Sequence, residues 1–207
     1  GDIYYAKATY LRRFGCPGGW FGDRKRSGGG PLIDLGVHVI DLVRFLMNNP
    51  KAVSVTGATF NKLGARNNIK QEKNYVAADA GDNFDVEDLA VAMIRFENGA
   101  VLHVETSFSL NIKKDAGDIE LFGTKSGAKL SPNLEFYSEM NNYLVDITPA
   151  HDTALNFNGL FEREIAHFID CVSTGKKCIS PAEDGVEIMK IIDAVYESAR
   201  TGREVIL

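Results

Sequence analysis

The chain has 207 residues, of which 44% are apolar and 25% charged, and its formal net charge is −5. That is enough for one substantial domain of ordinary soluble composition. It lacks the basic face with which a nucleic-acid binder neutralises phosphates, and no apolar run approaches the roughly eighteen residues of a membrane span. Residues 3–13 read as a strand, carrying β-favouring Ile3, Tyr4, Tyr5, Thr9, Tyr10 and Leu11 and no signal-peptide layout. Residues 14–30 hold seven glycines and Pro17, a loop with Trp20 in it and a short basic run, Arg24-Lys25-Arg26, read as solvated. Pro31 suits the first turn of a helix that runs to about Met47, where Asn48-Asn49-Pro50 stops it.

Beyond Pro50 the hydrophobic period changes from helical to two. Val53, Val55 and Ala58 to Phe60 read as a strand entering a polar loop, residues 61–83, long enough to be mobile or functional. Val86 to Phe96 and Ala100 to Leu110 flank Glu97-Asn98-Gly99, a strong hairpin signal. Asp118 to Phe122 and Ala128 to Leu130 form a second hairpin around Gly123–Gly127, and Phe136, Tyr137 and Leu144 to Ile147 offer further strands. Phe161 to Ser173 is a helix with Phe161, Ile165, Phe168, Ile169 and Val172 on one stripe, closed by Gly175. Ser180 is expected to cap a last helix, with Pro181 first and Glu183 third; its apolar face is Ile188, Ile191, Ile192, Val195 and Tyr196. The order predicts a single α+β domain over residues 1–207, a large mainly antiparallel sheet with helices on one face. The sheet's other face is expected to be partly solvated or buried against another subunit.

The run Ser27 to Asp41, SGGGPLIDLGVHVID, places Asp34, His38 and Asp41 in an otherwise apolar helix. On a wheel the three fall within about 60° of one another. A helix apolar nearly all round is a buried one, and a buried carboxylate must be paired or must face water or a ligand. The i, i+4 spacing lets Asp34 reach a nitrogen of His38, which would fix the ring tautomer and raise its basicity. Three readings stay open on spacing alone: a closed structural network, a metal site and acid/base chemistry. A metal would want a third ligand, and none is evident locally. The glycine run is a weak phosphate-binding signal, since no Gly-x-Gly-x-x-Gly follows a strand.

The run Gly28-Gly29-Gly30-Pro31-Leu32-Ile33-Asp34-Leu35-Gly36-Val37-His38-Val39-Ile40-Asp41-Leu42 resembles the GGG-x-L-x-D-x-G-x-H-x-x-D-L signature of the Gfo/Idh/MocA oxidoreductases. These are the relatives of glucose–fructose oxidoreductase and inositol dehydrogenase. The likeness extends to Arg12-Arg13, Trp20-Phe21, the Phe96–Gly99 hairpin, the Gly123–Gly127 turn and both C-terminal helices, and so covers the whole chain as the family's C-terminal domain. It implies a dihydrodipicolinate-reductase-like α+β fold whose sheet mediates a homodimer or homotetramer. It also implies an N-terminal Rossmann domain for NAD or NADP, and this chain carries neither its fingerprint nor the Glu-Lys-Pro motif. The chain thus reads as a domain beginning just after that boundary, inactive alone.

By the resemblance, His38 maps to the acid/base histidine and Asp34 to the catalytic-site aspartate. The implied reaction interconverts a hydroxyl and a carbonyl on a sugar, cyclitol or similar polyol by hydride transfer with the nicotinamide. The alternative is a non-catalytic sugar- or dinucleotide-sensing module of the same fold. Asp41 fits the motif with a largely structural role. Arg12, Trp20, His151 and Asn156, together with Asp41, are further candidates for substrate contact. His103 reads as a sheet-surface residue and His167 as a packing or interface residue. Cys16, Cys171 and Cys178 show no metal-ligand spacing, and reduced thiols in a cytoplasmic protein are the economical reading.

Overall fold

The computed structural model describes residues 1–207 apart from 74, 80, 82 and 155. Strand β1 (Ile3–Leu11) leads through a 3-10 turn (Gly19–Gly22) and a short helix α1 (Arg24–Ser27) to a π-helical turn, Leu32–Gly36. That turn runs into α2 (Val37–Leu46), followed by β2 (Ala52–Phe60). After a long connection come β3 (Leu89–Phe96), β4 (Val101–Ser107), β5 (Ala116–Gly123), β6 (Ser126–Lys129), β7 (Glu135–Met140) and β8 (Tyr143–Ile147). Helices α3 (Leu160–Thr174) and α4 (Ala182–Thr201) and a two-residue strand β9 (Val205–Ile206) complete the chain.

All nine strands form one sheet in the order β8-β7-β6-β5-β1-β4-β3-β2-β9. Strand β1 inserts between β4 and β5, so these consecutive strands do not pair with each other. It runs parallel to β4, with Ala6 opposite Leu102, and antiparallel to β5, with Ala6 opposite Leu121. The expected hairpins β3–β4 and β5–β6 form. A third, β7–β8, turns on Asn141 and Asn142, both at positive φ, the backbone of a type I′ turn.

Alternation decides which face is covered. Ala6 and Ala8 of β1, Ala90, Ala92 and Ile94 of β3, and Leu102 and Val104 of β4 are buried beneath the helices. The four alanines keep this face low beneath the helices, and Ile40, Val43, Ile188, Ile191, Ile192 and Val195 complete the core. Arg44 ties the two helices, donating from Nε to the Pro50 carbonyl at 3.2 Å and standing 3.8 Å from Asp184. The opposite face alternates apolar with charged residues: Tyr5 stacks on Phe122, Lys7 pairs with Glu120, and Met93 is exposed. His103 is half-buried there, as a sheet-surface residue should be.

Three expectations change. Strand β3 begins at Leu89 rather than Val86, because Glu87 and Asp88 turn inward as buried carboxylates. Ser180 does not cap α4. The fixed, extended Pro181 occupies the cap position without a side-chain hydrogen bond, and Glu183 and Asp184 supply negative charge to the first turn. Helix α3 has its predicted stripe and its left-handed Gly175, but none of its residues is buried. Phe161, Ile165, Phe168, Ile169 and Val172 all stand open.

Candidate active site

The lead into the site helix is pinned rather than flexible. Glu87, carried to the helix start by the segment before β3, accepts hydrogen bonds at Oε1 from Gly30 N–H (3.0 Å), Leu32 N–H (3.2 Å) and the Tyr196 hydroxyl of α4 (2.8 Å). It is buried, with Arg24 3.6 Å from its other oxygen. A carboxylate thus satisfies the free N–H groups of a helix N-terminus. Gly29 and Gly30 are required for close approach: a Cβ on Gly29 would collide with the Tyr196 hydroxyl, and one on Gly30 with the Glu87 carbonyl oxygen. The burial and the hydrogen bond to Glu87 push the Tyr196 phenol far above its ordinary value. With that negative charge in place, the glycine run is no phosphate cradle.

Helix α2 is not buried all round. Val39, Ile40, Val43 and Arg44 face the sheet, whereas His38, Leu42 and Phe45 are exposed and Asp34 and Asp41 half-buried. The expected Asp34–His38 hydrogen bond does not form. The wide turn Leu32–Gly36 changes the angular step per residue where Asp34 sits, so a uniform wheel fails across it. Asp34 turns toward Arg12, Oδ2 to Nη1 at 4.0 Å. Burial lifts its carboxyl above the ordinary range, while Arg12 and then His38 pull it back down. His38 has no hydrogen-bond partner among the described residues. With Asp41 it lines an open groove of about 710 Å³ whose far wall is Ser180, Pro181, Gly185 and Met189 of the α4 end. Burial also raises the Asp41 carboxyl, opposed chiefly by Arg44.

Arg12 lies beneath this surface. It is buried, donates to the Gly15 carbonyl at 3.0 Å, and sits between the rings of Tyr75 (3.9 Å to the centroid) and Tyr10 (5.3 Å). Trp20 is half-exposed, its ring packed on Phe21 at 4.0 Å, and Asp79 accepts its backbone N–H. His151 and Asn156 are exposed in the segment after β8, tied to the sheet's far side by the Leu134 N–H to Thr153 Oγ1 bond. Among the described residues, no hydrogen bond or ion pair joins Trp20, His151 or Asn156 to Arg12, Asp34 or His38.

Sequence reasoning missed Glu87, Asp88 and Tyr75. Asp88 Oδ2 gathers the N–H groups of Lys62, Leu63 and Gly64, fixing the start of the long loop; the same loop delivers Tyr75 to Arg12. The adjacent carboxylates Glu87-Asp88, just ahead of an apolar strand, were the available signal. Nothing local marked Tyr75.

The comparisons agree with this architecture. Residues 1–207 match the family described as "Oxidoreductase family, C-terminal alpha/beta domain" (GFO_IDH_MocA_C). D-glucoside 3-dehydrogenase of Escherichia coli (strain K12) is 34% identical over 207 residues, covering 99% of this chain and 57% of that protein. Levoglucosan dehydrogenase of Pseudarthrobacter phenanthrenivorans is 27% identical, covering 96% and 58%. A solved levoglucosan dehydrogenase in complex with NADH and L-sorbose superposes with a TM-score of 0.77 at 21% identity, over 100% of this chain and 58% of that one. The chain therefore spans little more than half the length of these relatives. It belongs to the Gfo/Idh/MocA oxidoreductase family, as that family's C-terminal α/β domain.

Proposed function

We propose that this chain is the substrate-binding part, bearing the acid/base residue, of an NAD(P)-dependent dehydrogenase acting on a secondary hydroxyl of a sugar or similar polyol. The observation that carries the reading is His38, an exposed imidazole that lines a groove together with the half-buried Asp41 on the open face of α2. The similarity to D-glucoside 3-dehydrogenase and levoglucosan dehydrogenase supports a sugar as substrate.

The residues present fit only the reacting end of a dinucleotide. Glu87 fills the helix N-terminus with negative charge, so that end offers no seat for a pyrophosphate, which in this reading a Rossmann domain holds. The open face of α2, with Leu42 and Phe45 exposed beyond His38, fits a flat ring beside a hydroxylated substrate. A bound nicotinamide supplies hydride transfer at its C4. The chain's own task is the proton: His38 takes it from the substrate hydroxyl as the carbonyl forms, and returns it in the reverse direction. Asp41 lines the same groove as the ring, and Asp34 sits one turn earlier, turned toward Arg12. Arg12, enclosed by Tyr10 and Tyr75, holds Asp34 in place from below. Trp20, His151 and Asn156 remain candidates for substrate contact contributed by loops. The alternating outer sheet face would join copies into a homodimer or homotetramer, which the solution mass of the full protein tests.

The test is turnover of the full-length protein with NAD or NADP and a panel of glycosides and polyols, followed by nicotinamide absorbance. Replacing His38 with Ala should lower the oxidation rate about 10²- to 10⁴-fold near neutral pH. Turnover near wild type in that variant would overturn the assignment, and no turnover with any panel member would favour a sensing module.

A further inference from the structure

Helix α3 inverts the usual burial pattern. Its apolar stripe stands open, while of its residues only Leu160, His167, Asp170 and Cys171 are partly shielded. The cover is the loop after Gly175, which folds back along the helix. Ile179 N–H donates to His167 Nε2 at 3.2 Å, Lys176 pairs with Asp170 at 3.1 Å, and Cys178 Sγ donates to the Ser180 carbonyl at 3.3 Å. A loop that shields an imidazole and a thiol while leaving Phe168 and Ile169 in solvent is not organised by apolar burial.

We propose that His167, Cys171 and Cys178 form a zinc(II) site. The ligand atoms of the three residues lie within 4.8 Å of one another, and His167 Nε2 is 3.4 Å from Cys171 Sγ. A tetrahedral zinc with Zn–S near 2.3 Å and Zn–N near 2.0 Å has ligand–ligand edges of roughly 3.4–3.8 Å. One edge is thus already near its bound length, and closing the widest needs about 1 Å of side-chain movement. His167 and Cys171 are i, i+4 on one flank of a helix, which aims both at the same point. Cys178 arrives from the loop that closes over them. Two thiolates and a neutral imidazole balance the charge of zinc(II) and suit its softness. The half-exposed position leaves the fourth corner to water. Binding through Nε2 takes the place of the Ile179 amide contact, forms two Zn–S bonds and one Zn–N bond, and releases the two thiol protons to solvent.

The position gives such an ion a structural task. The loop that carries Cys178 continues into Ser180 and Pro181, the wall of the groove opposite His38 and Asp41. Clamping Cys178 to α3 would fix that wall. The inference concerns metal binding and stands apart from the dehydrogenase reading.

To test it, the full chain is reduced with a phosphine, stripped with a chelator, and titrated with zinc(II) against a chromophoric competitor and separately with cobalt(II). The expected result is one equivalent of zinc bound with release of two protons, and a cobalt adduct showing thiolate charge-transfer and tetrahedral d–d absorption. The variants Cys178→Ser and His167→Asn should keep the wild-type far-UV spectrum and weaken zinc binding about 100-fold. Equal affinity in wild type and Cys178→Ser, or a cobalt adduct without the charge-transfer band, would overturn the site. So would reduced protein that leaves zinc with the competitor; an intact mass two hydrogens lighter before reduction would then assign the pair to a disulfide.

Discussion

Glu87 is the residue whose loss should most clearly expose how this site is built. Its Oε1 accepts three hydrogen bonds, from Gly30 N–H, Leu32 N–H and the Tyr196 hydroxyl, at 3.0, 3.2 and 2.8 Å. Each bond to a charged acceptor is worth about 1.5–3 kcal/mol in isolation, but three sharing one oxygen are not additive. Arg24, the partner at Oε2, is nearly half exposed, and its contribution is screened by solvent. Removing one member of a buried network costs about 3–5 kcal/mol, and we expect that loss for Glu87→Ala. Glu87→Gln keeps an acceptor of the same shape without the charge and should cost about 1–2 kcal/mol. Tyr196→Phe removes one bond and should cost about 1 kcal/mol. For a chain of this size each kcal/mol moves Tm by about 2–4 °C, so the alanine variant should melt about 6–20 °C lower. Urea unfolding followed by far-UV circular dichroism, with calorimetry, orders the three. A Glu87→Ala variant within about 1 kcal/mol of wild type, or no more destabilised than Tyr196→Phe, would refute the claim that this carboxylate anchors the site helix.

Gly30→Ala should destabilise the fold by about 2–4 kcal/mol, since its Cβ meets the Glu87 backbone rather than a movable side-chain tip; a midpoint unchanged in urea would contradict this. His38→Ala should leave stability within about 0.5 kcal/mol because the ring is exposed, while abolishing most turnover in the full-length protein; a large loss of stability would mark the ring as structural. Burial raises the Asp34 carboxyl, so the native state holds its proton to higher pH than the unfolded chain, whose value is about 3.9. Its contribution to stability is therefore present below the unfolded value and is lost as pH rises through the raised native value. Asp34→Asn should gain on wild type as pH climbs through that window, read from paired urea midpoints; a constant difference would refute the shift. Arg12→Met removes the charge that pulls Asp34 down and should move its carboxyl higher still, visible by NMR titration of the carboxyl carbon.

Residue order carried what depends on neighbours in the chain. The period-two strands, the Asn-Gly hairpin, the helix from Pro31 to the Asn-Asn-Pro stop, and the placement of Asp34, His38 and Asp41 on one helix follow from local sterics and amphipathic spacing. So does the stripe on α3, although spacing says nothing of what covers it. Contacts between distant segments were decided only by tertiary structure. The insertion of β1 between β4 and β5 depends on which strand edges meet. The capping of the Gly30 helix by Glu87, the seating of Arg12 under Tyr75, and the meeting of His167 with Cys178 rest on backbones brought together from far along the chain. The turn of Asp34 away from His38 lies between the two: a single wide turn breaks the period on which the expected hydrogen bond relied. Short-range propensities are written into each window of residues, whereas a buried charge or a collected set of ligands depends on the sum of long-range packing that brings its partners within reach.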